Sequence, residues 1–395
     1  MNLDQIFVVA KQEILMRLTA AGLPSGILQV ISSLINVVAV LLVFVTLFAL
    51  MSVIERKVLA RIQNRYGPNR VGPFGLFQPV ADGIKMLIKE DIVPRNADPI
   101  VHFIAPVIMS STAILALSVI PYGRNMTPIS IDGGVLLFFA VGAPTELTVF
   151  MAGWASNNKY SMLGAMRAIA QMVSYELPLI LAVVPVVLVT GSLSPDEIVA
   201  AQDHYTFGIL PHWYALTPWG AVAFLIFFTA GLAEANRTPF DLPEGESEIV
   251  AGHMMEYSGF KYALFFMGEY FEMFAVSGLG VTLFLGGWSS PNAWLGWIPS
   301  YIWFFAKLSA LLFMFLWIRG TLPRIRMDQV MSLAWKFMLP LALVCILSAA
   351  VWQCTTRGAA GWLWSLAIMV VAYFTLTKLL HTRQKFAVRH YRFTE

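Results

Sequence analysis

Charged residues are scarce in this 395-residue chain, where they make up 12% of the total. A typical soluble protein has about twice that share. Apolar residues make up 58%, and the mean hydropathy is +0.71. This composition excludes a soluble enzyme, a disordered chain and a nucleic-acid binder. Long apolar runs recur along the chain, and they indicate a polytopic helical membrane protein.

Residues that could hold a redox centre are equally scarce. The two cysteines, Cys345 and Cys354, could form a disulfide, but they supply no ligand set for zinc or an iron–sulfur cluster. Six histidines are scattered, and no helix carries a pair suited to a b-type haem. No glycine-rich dinucleotide motif follows a strand. Electrons in any redox reaction would therefore come from another subunit.

Nine apolar segments predict an all-α, polytopic bundle of about nine transmembrane helices. The first, Ile27–Ile54, carries no charge. It would be about 42 Å long at ~1.5 Å per residue, which exceeds a ~30 Å hydrocarbon core and predicts a strongly tilted or projecting first helix. The other eight segments are Phe103–Pro121, Gly133–Trp154, Ala168–Thr190, Pro218–Ala233, Tyr262–Leu285, Ile298–Ile318, Leu333–Val351 and Trp362–Thr377.

Two further segments are amphipathic and too short or too polar to span. Residues 1–24 place Ile6, Phe7 and Ile14 at helical spacing, which predicts a surface helix. Phe74–Glu90 shows the same pattern and should lie flat at the interface. It is either a membrane-surface anchor or a cap over a cavity that opens into the lipid.

Most basic residues lie in every second loop, which means on one side of the predicted topology. Of the 26 Lys and Arg residues, 21 fall in or beside the loops on one side, four on the other, and Lys307 lies inside a span. The positive-inside rule then places the N-terminus outside and the C-terminus inside.

Acidic residues inside the spans are the first candidate functional group. A charge at a helix centre costs ~2.5–3.5 kcal/mol on insertion scales, so such residues usually line polar pathways. They are Glu146, Glu176, Glu269 and Glu272. Structural pairing is the alternative, for example between Lys307 and Glu146. Pro178 and Pro185 follow Glu176 and could kink its helix.

A dense acidic loop is the second group. Its carboxylates are Glu234, Asp241, Glu244, Glu246, Glu248 and Glu256, and Arg237 is the base among them. Crowded like charges disfavour joint ionisation, so proton uptake there can follow a nearby change in charge. A solvated acidic loop is the alternative, but the apolar and proline residues between the acids favour a packed one.

Six motifs carry a family resemblance: Glu55–Lys57, Arg65–Pro73, Gln78–Asp82, Gly153–Tyr160, Ser174–Glu176 and Ala233–Glu248. Together they resemble the ND-one-type family of membrane subunits, the H subunits of NADH–quinone oxidoreductase, which is respiratory complex I. Shorter matches at Glu256–Gly259, Gly268–Tyr270 and Arg319–Gln329 keep the same order. The resemblance runs from about residue 27 to residue 352.

The resemblance implies a subunit at the junction of the peripheral and membrane arms, which forms much of the quinone tunnel and begins the proton relay. Positions matching the tunnel and junction are Arg56, Asp82, Lys85, Arg237, Asp241, Glu244, Glu246, Glu248, Arg324 and Asp328. Those matching the buried carboxylate path are Glu176, Glu234, Glu256 and Glu269, to which the residue pattern adds Glu146 and Glu272.

The resemblance also implies a division of the chain and a set of partners. Residues 1–24 would be an amphipathic segment, 25–352 an eight-span core, and 353–395 an additional ninth span with a basic tail. Ubiquinone or menaquinone would be the substrate, with flavin and iron–sulfur clusters held by partner subunits. Those partners are the peripheral-arm quinone-site and iron–sulfur subunits, small membrane subunits and antiporter-like subunits, in the lipid bilayer of a bacterial inner membrane or, alternatively, an organelle inner membrane.

Two other functions compete with this one. The homologous membrane subunit of an energy-converting hydrogenase would share the fold and the ion path, but the full acidic-loop motif favours complex I. A stand-alone transporter is disfavoured because the sequence shows no inverted repeat and no mid-membrane substrate site.

Overall fold

The computed structural model describes residues 3–20, 23–206, 210–242, 245, 250–355 and 359–383. Most of these residues are helical. The β-structure among them is one antiparallel pair, β1 (Tyr205–Thr206) and β2 (Leu210–Pro211), with Tyr205 opposite Pro211. The all-α prediction is therefore confirmed.

Each of the nine predicted spans lies on a helix. Seven helices are long and apolar enough to cross a membrane: α2 (Ser25–Ile62), α4 (Pro99–Leu117), α5 (Gly134–Ala155), α6 (Lys159–Thr190), α9 (Gly259–Phe284), α10 (Ser300–Thr321) and α11 (Met327–Cys354). Two shorter apolar helices are α8 (Pro218–Glu234) and the segment Gly361–Thr375 within α12 (Ala359–Arg383). The remaining helices are α1 (Ile6–Ala20), α3 (Gln78–Ile88) and α7 (Pro195–Gln202).

Five helices form a closed ring in the order α4, α5, α6, α8 and α9, each contacting the next. The most enclosed member is α9, in which 83% of the most apolar 18-residue stretch is buried. Small residues allow this close approach, because a Cβ on Gly231 of α8 would lie 2.4 Å from Val276 Cγ1 on α9. Without a hydrophobic driving force between helices in lipid, such small-residue contacts favour tight packing.

The other long helices surround this ring. On one flank, α2 and α10 pack beside α9. On another, α11 packs on α6 and α8, and α12 packs on α11. The ninth span is held there by two buried serines, whose hydroxyl oxygens on Ser348 and Ser365 are 3.0 Å apart. Interhelical hydrogen bonds of this kind are favoured in an apolar surrounding.

The two predicted amphipathic segments both contain helices. The α1 helix packs on α2, and the Lys11 ammonium donates to Asn36 Oδ1 at 2.8 Å. On α3 the apolar side chains of Val80, Ile84 and Leu87 are exposed. Exposed apolar residues on one face suit a helix that lies at a membrane interface. We call the end of the bundle that carries α3 the α3 end.

The structure answers three questions that the sequence left open. The predicted pairing of Lys307 with Glu146 is wrong, because the Lys307 ammonium donates to the carbonyls of Leu285, Gly287 and Ser289 at 2.7, 2.9 and 2.7 Å. These carbonyls close the C-terminal end of α9, where a cation is favoured. Helix α6 continues through both of its prolines. The two cysteines are free, so the optional disulfide is not formed.

Replacing Lys307 with methionine should lower the stability of the fold by about 1.5–3 kcal/mol, since the three carbonyls lose a charged donor in a mostly buried place. The measurement is the thermal unfolding midpoint of the detergent-solubilised protein. Lys336→Met, at an exposed position of α11, is the matched control and should leave the midpoint unchanged. Equal midpoints for the two variants would contradict this role of Lys307.

Candidate functional site

A buried charge cluster lies at the α3 end, where α2 leaves its apolar run. The Glu55 carboxylate accepts hydrogen bonds from the Arg319 guanidinium and from the Tyr270 hydroxyl. Arg237 Nη1 lies 3.7 Å from Glu55 Oε1, and its guanidinium stacks 4.2 Å above the Tyr270 ring. Glu55 is 5% exposed, so this carboxylate faces two arginines with little water nearby.

The cluster joins four separate parts of the chain: α2, the loop after α8, α9 and α10. Burying ions is tolerated when the charges are paired and hydrogen-bonded, and that condition is met here. Sequence reasoning did not select Glu55, Tyr270 or Arg319 as site residues. The signal was present for two of them, because Glu55 directly follows the uncharged run of α2 and Arg319 is the first charged residue after Lys307 on α10.

A second, more exposed pair lies one residue further along α2. Arg56 Nη1 is 2.7 Å from Asp82 Oδ2 on α3, and Lys85 Nζ is 3.6 Å from Asp82 Oδ1. Gln78 donates to the same carboxylate at 3.2 Å. Burial alone would raise the pKa of Asp82, but the hydrogen bonds and positive charges outweigh it and hold that pKa below its ordinary value. The structure thus brings together three predicted tunnel residues.

The acidic loop contributes a third pair. Arg324 Nη2 lies 2.9 Å from Asp241 Oδ2, so two more predicted tunnel residues meet. Asp328 is exposed in the first turn of α11. Glu244, Glu246 and Glu248, also predicted to belong to the junction, lie outside the described residues.

The described start of this loop is packed, as the alternation of acids with apolar residues predicts. Phe240 and Leu242 are buried. Gln171 on α6 donates to the carbonyls of Ala233 and Phe240, each at 2.8 Å. One fully buried amide therefore holds both ends of the turn between α8 and the loop, which fixes Arg237 beside Glu55.

Four carboxylates face one another inside the ring of helices: Glu146 on α5, Glu176 on α6, Glu234 on α8 and Glu272 on α9. Electrostatic interactions link Glu146 and Glu234 to each other and to both Glu176 and Glu272. The backbone of α5 lies beside the Glu234 carboxylate, since a Cβ built on Gly142 would be in van der Waals contact with Glu234 Oε1 at 4.0 Å. Among the described residues, the Oε2 atoms of Glu234 and Glu272 have no hydrogen-bond partner.

This arrangement places several ionisable oxygens near one another within the bundle. In a medium of low dielectric constant, a negative charge on one carboxylate repels a negative charge on its neighbours. Among the described residues, no group of three or more His, Cys, Asp or Glu side chains is arranged to hold a metal ion. Proton exchange between neighbouring carboxyl groups is the chemistry that these side chains offer.

The other two predicted relay residues lie apart from this set. Glu269 is buried on α9, one turn before Glu272 and next to Tyr270. Glu256 lies in the loop before α9 and accepts a hydrogen bond from Asn158 Nδ2 at 2.7 Å. It lines an open cleft of about 510 Å³ together with Arg95 and Lys159.

Helix α4 carries a buried histidine that sequence reasoning missed. His102 on α4 is fully buried, and its ring stacks on Tyr257 with the centroids 4.0 Å apart. Tyr257 directly follows Glu256, so the stacked pair lies next to the loop residue that lines the cleft. No periodic signal could have selected a lone histidine in an apolar helix.

Comparison with known proteins places this geometry in a family. The model of the family described as NADH dehydrogenase matches residues 35–350. A protein of Dehalococcoides mccartyi, named as the H subunit of NADH-quinone oxidoreductase, is 50% identical over 290 residues, which are 73% of this chain and 78% of that protein. Proteins of the same name from Granulibacter bethesdensis and Geobacillus kaustophilus are 46% and 48% identical over 331 and 314 residues. These alignments cover 83% and 79% of this chain, and 93% and 90% of the two relatives.

Replacing Glu55 with glutamine should destabilise the protein by about 3–5 kcal/mol, because two partly or fully buried arginines lose their shared counter-charge. Thermal unfolding of the solubilised protein measures this loss. Arg56→Gln is the matched control at the adjacent position, where an exposed pair is worth about 0–1 kcal/mol. If Glu55→Gln unfolds at the same temperature as Arg56→Gln, the cluster does not stabilise the α3 end.

The Asp82 carboxylate should contribute stability at neutral pH that disappears in acid. Its pKa is lower in the folded protein, so the contribution is complete above the ordinary carboxyl pKa and is lost as the pH falls through the folded value. The comparison is wild type against Asp82→Asn over an acid titration of the unfolding midpoint. The difference should be small, about 0–1 kcal/mol, because the pair is partly exposed. A difference in unfolding midpoint between wild type and Asp82→Asn that grew towards low pH would contradict the lowered pKa of Asp82.

Proposed function

Since the chain belongs to the NADH dehydrogenase family, whose relatives above are NADH-quinone oxidoreductase H subunits, we propose that it forms much of the quinone tunnel and the first carboxylate relay of this complex. The chain is a membrane-spanning subunit of an oxidoreductase complex, and the other subunits of that complex are its partners. The observation that carries the finer proposal is that helix α9 holds both Tyr270 of the Glu55 cluster and Glu272 of the four carboxylates.

The α3 end has the chemistry that a quinone requires. A quinone joins a polar head, which accepts hydrogen bonds, to an apolar tail. Arg56 and Lys85 offer N–H donors beside the exposed apolar face of α3. The tunnel lining would therefore comprise Arg56, Asp82, Lys85, Arg237, Asp241 and Arg324, with Asp328 at its edge and Glu244, Glu246 and Glu248 assigned by the family resemblance.

Helix α9 supplies the link between the quinone and the relay. Tyr270 hydrogen-bonds Glu55, whereas Glu269 and Glu272 lie within one turn of Tyr270 on the same helix. Reduction of the quinone draws electrons and protons to the tunnel. A change in charge beside Arg237 or Arg319 would alter their attraction to Glu55 and, over this short distance, the charge distribution among the buried carboxylates.

The relay itself would pass through Glu146, Glu176, Glu234 and Glu272, with Glu269 leading towards the cluster. Glu256, beside His102 and the open cleft, would exchange protons with the aqueous side. A proton can move from the carboxyl oxygen of one residue to that of the next, and only O–H bonds break and form. The carboxylates thus act as a relay and not as catalytic acids in a closed active site.

The remaining finer assignments rest on the sequence. The distribution of Lys and Arg supports an outside N-terminus and a cytoplasmic C-terminus in a bacterial inner membrane. Electrons would come from an iron–sulfur subunit of the peripheral arm, with flavin further upstream and antiporter-like subunits beyond the relay. The division into residues 1–24, 25–352 and 353–395 places the family core between a surface helix and an added span. The names of the relatives favour this complex over the hydrogenase alternative.

Glu234→Gln and Glu176→Gln should each reduce quinone-coupled proton translocation by roughly tenfold or more, because a neutral amide cannot carry the relayed proton. The measurement is proton uptake in membrane vesicles that contain the assembled complex, with NADH oxidation by an artificial acceptor as the assembly control. Glu197→Gln, at an exposed position of α7, is the matched variant and should translocate protons normally. Intact pumping in both relay variants would refute the proposed relay.

A further inference from the structure

Helix α6 lacks one backbone hydrogen bond close to Glu176. Pro178 has no N–H group, so the carbonyl of Ser174 lacks its regular partner in this turn. The helix nevertheless remains continuous from Lys159 to Thr190. Something other than its own backbone must therefore fix the rotation of the turn that carries Glu176.

Two side chains in this turn bond to helix α11. The Tyr175 hydroxyl donates to the carbonyl oxygen of Val330 at 3.0 Å. The Trp335 indole Nε1 donates to Ser174 Oγ at 3.2 Å, and that hydroxyl donates in turn to the carbonyl of Ala170 at 2.6 Å. Tyr175 is fully buried, and its ring packs on Phe240 of the acidic loop with the centroids 5.3 Å apart.

The contact lies at an irregular point of α11 as well. A π-helical turn covers Ala334–Met338 and begins between the two contacting positions, Val330 and Trp335. A π turn holds one extra residue, costs helix stability and recurs at functional sites. Two hydrogen bonds thus join α6 and α11 near the irregular turn of each helix, which is the proline turn of α6 and the π turn of α11.

We propose that Tyr175 and Trp335 are positioning residues that hold the Glu176 carboxylate towards Glu146 and Glu234. Both act through the rotation of the α6 turn and touch no substrate. Ser174, Tyr175 and Glu176 are consecutive, so fixing the first two towards α11 directs the third towards the ring interior. This inference rests on the proposed relay, in which Glu176 takes part.

The test uses Tyr175→Phe and Ser174→Ala in the assembled complex. Each removes one bond to α11 with little change in volume. The readout is the infrared carboxyl band of Glu176 during turnover, identified by its loss in Glu176→Gln. Both variants should shift this band, and quinone-coupled activity should fall roughly three- to tenfold, the effect of losing one neutral hydrogen bond. NADH oxidation by an artificial acceptor should be unchanged.

Two controls separate positioning from a general loss of stability. Ser174→Thr keeps a hydroxyl for Trp335 and should restore the wild-type band. Tyr205→Phe removes another tyrosine hydroxyl, one that bonds the carbonyl of Ser290 at 2.9 Å and lies away from α6. Tyr205→Phe should leave the Glu176 band unchanged. A wild-type band in both Tyr175→Phe and Ser174→Ala would overturn the proposal.

A second measurement decides the matter if Glu176 gives no assignable band. An electron cryo-microscopy map of the complex with Tyr175→Phe and Ser174→Ala together should show the Glu176 carboxylate turned away from Glu146. An unchanged orientation would overturn the positioning role. Intact pumping in Glu176→Gln would refute the relay through this residue, whereas the map would still decide whether Tyr175 and Ser174 orient it.

Discussion

Glu55 places a negative charge at the point where the longest apolar helix meets the polar end of the bundle. Its carboxylate would be costly there without partners. Arg319 and Tyr270 both hydrogen-bond it, and Arg237 lies beside it while stacking on the same tyrosine. The positions of α2, α9, α10 and the acidic loop all depend on this one charge being satisfied.

The carboxylates in the ring follow from a second constraint, which is space. Helix α9 can be enclosed because Gly231 lets α8 approach it closely. The buried acids are therefore held by the same close packing that stabilises the bundle. In such a site each negative charge repels its neighbours, and this is the physical basis of the proposed relay.

Much of the architecture could be predicted because membrane insertion depends on local sequence. The apolar runs located all nine helices, and the cost of burying charge pointed to Glu146, Glu176 and Glu272 before any contact was known. Alternating prolines and acids indicated that the loop after α8 is packed. Pairings across the chain could not be derived in this way. A pairing of Lys307 with Glu146 was the alternative that charge suggested, whereas Lys307 in fact bonds to three carbonyls at the end of α9.

The sequence by itself determined that the chain is a membrane-spanning helical bundle, which family it resembles and which acids lie within its spans. These are properties of composition, local periodicity and short motifs. The tertiary structure decided that Glu55 meets Arg319, that Tyr175 meets Val330, and that His102 stacks on Tyr257. Each of these contacts joins residues more than a hundred positions apart, and only the packing of the helices brings such residues together.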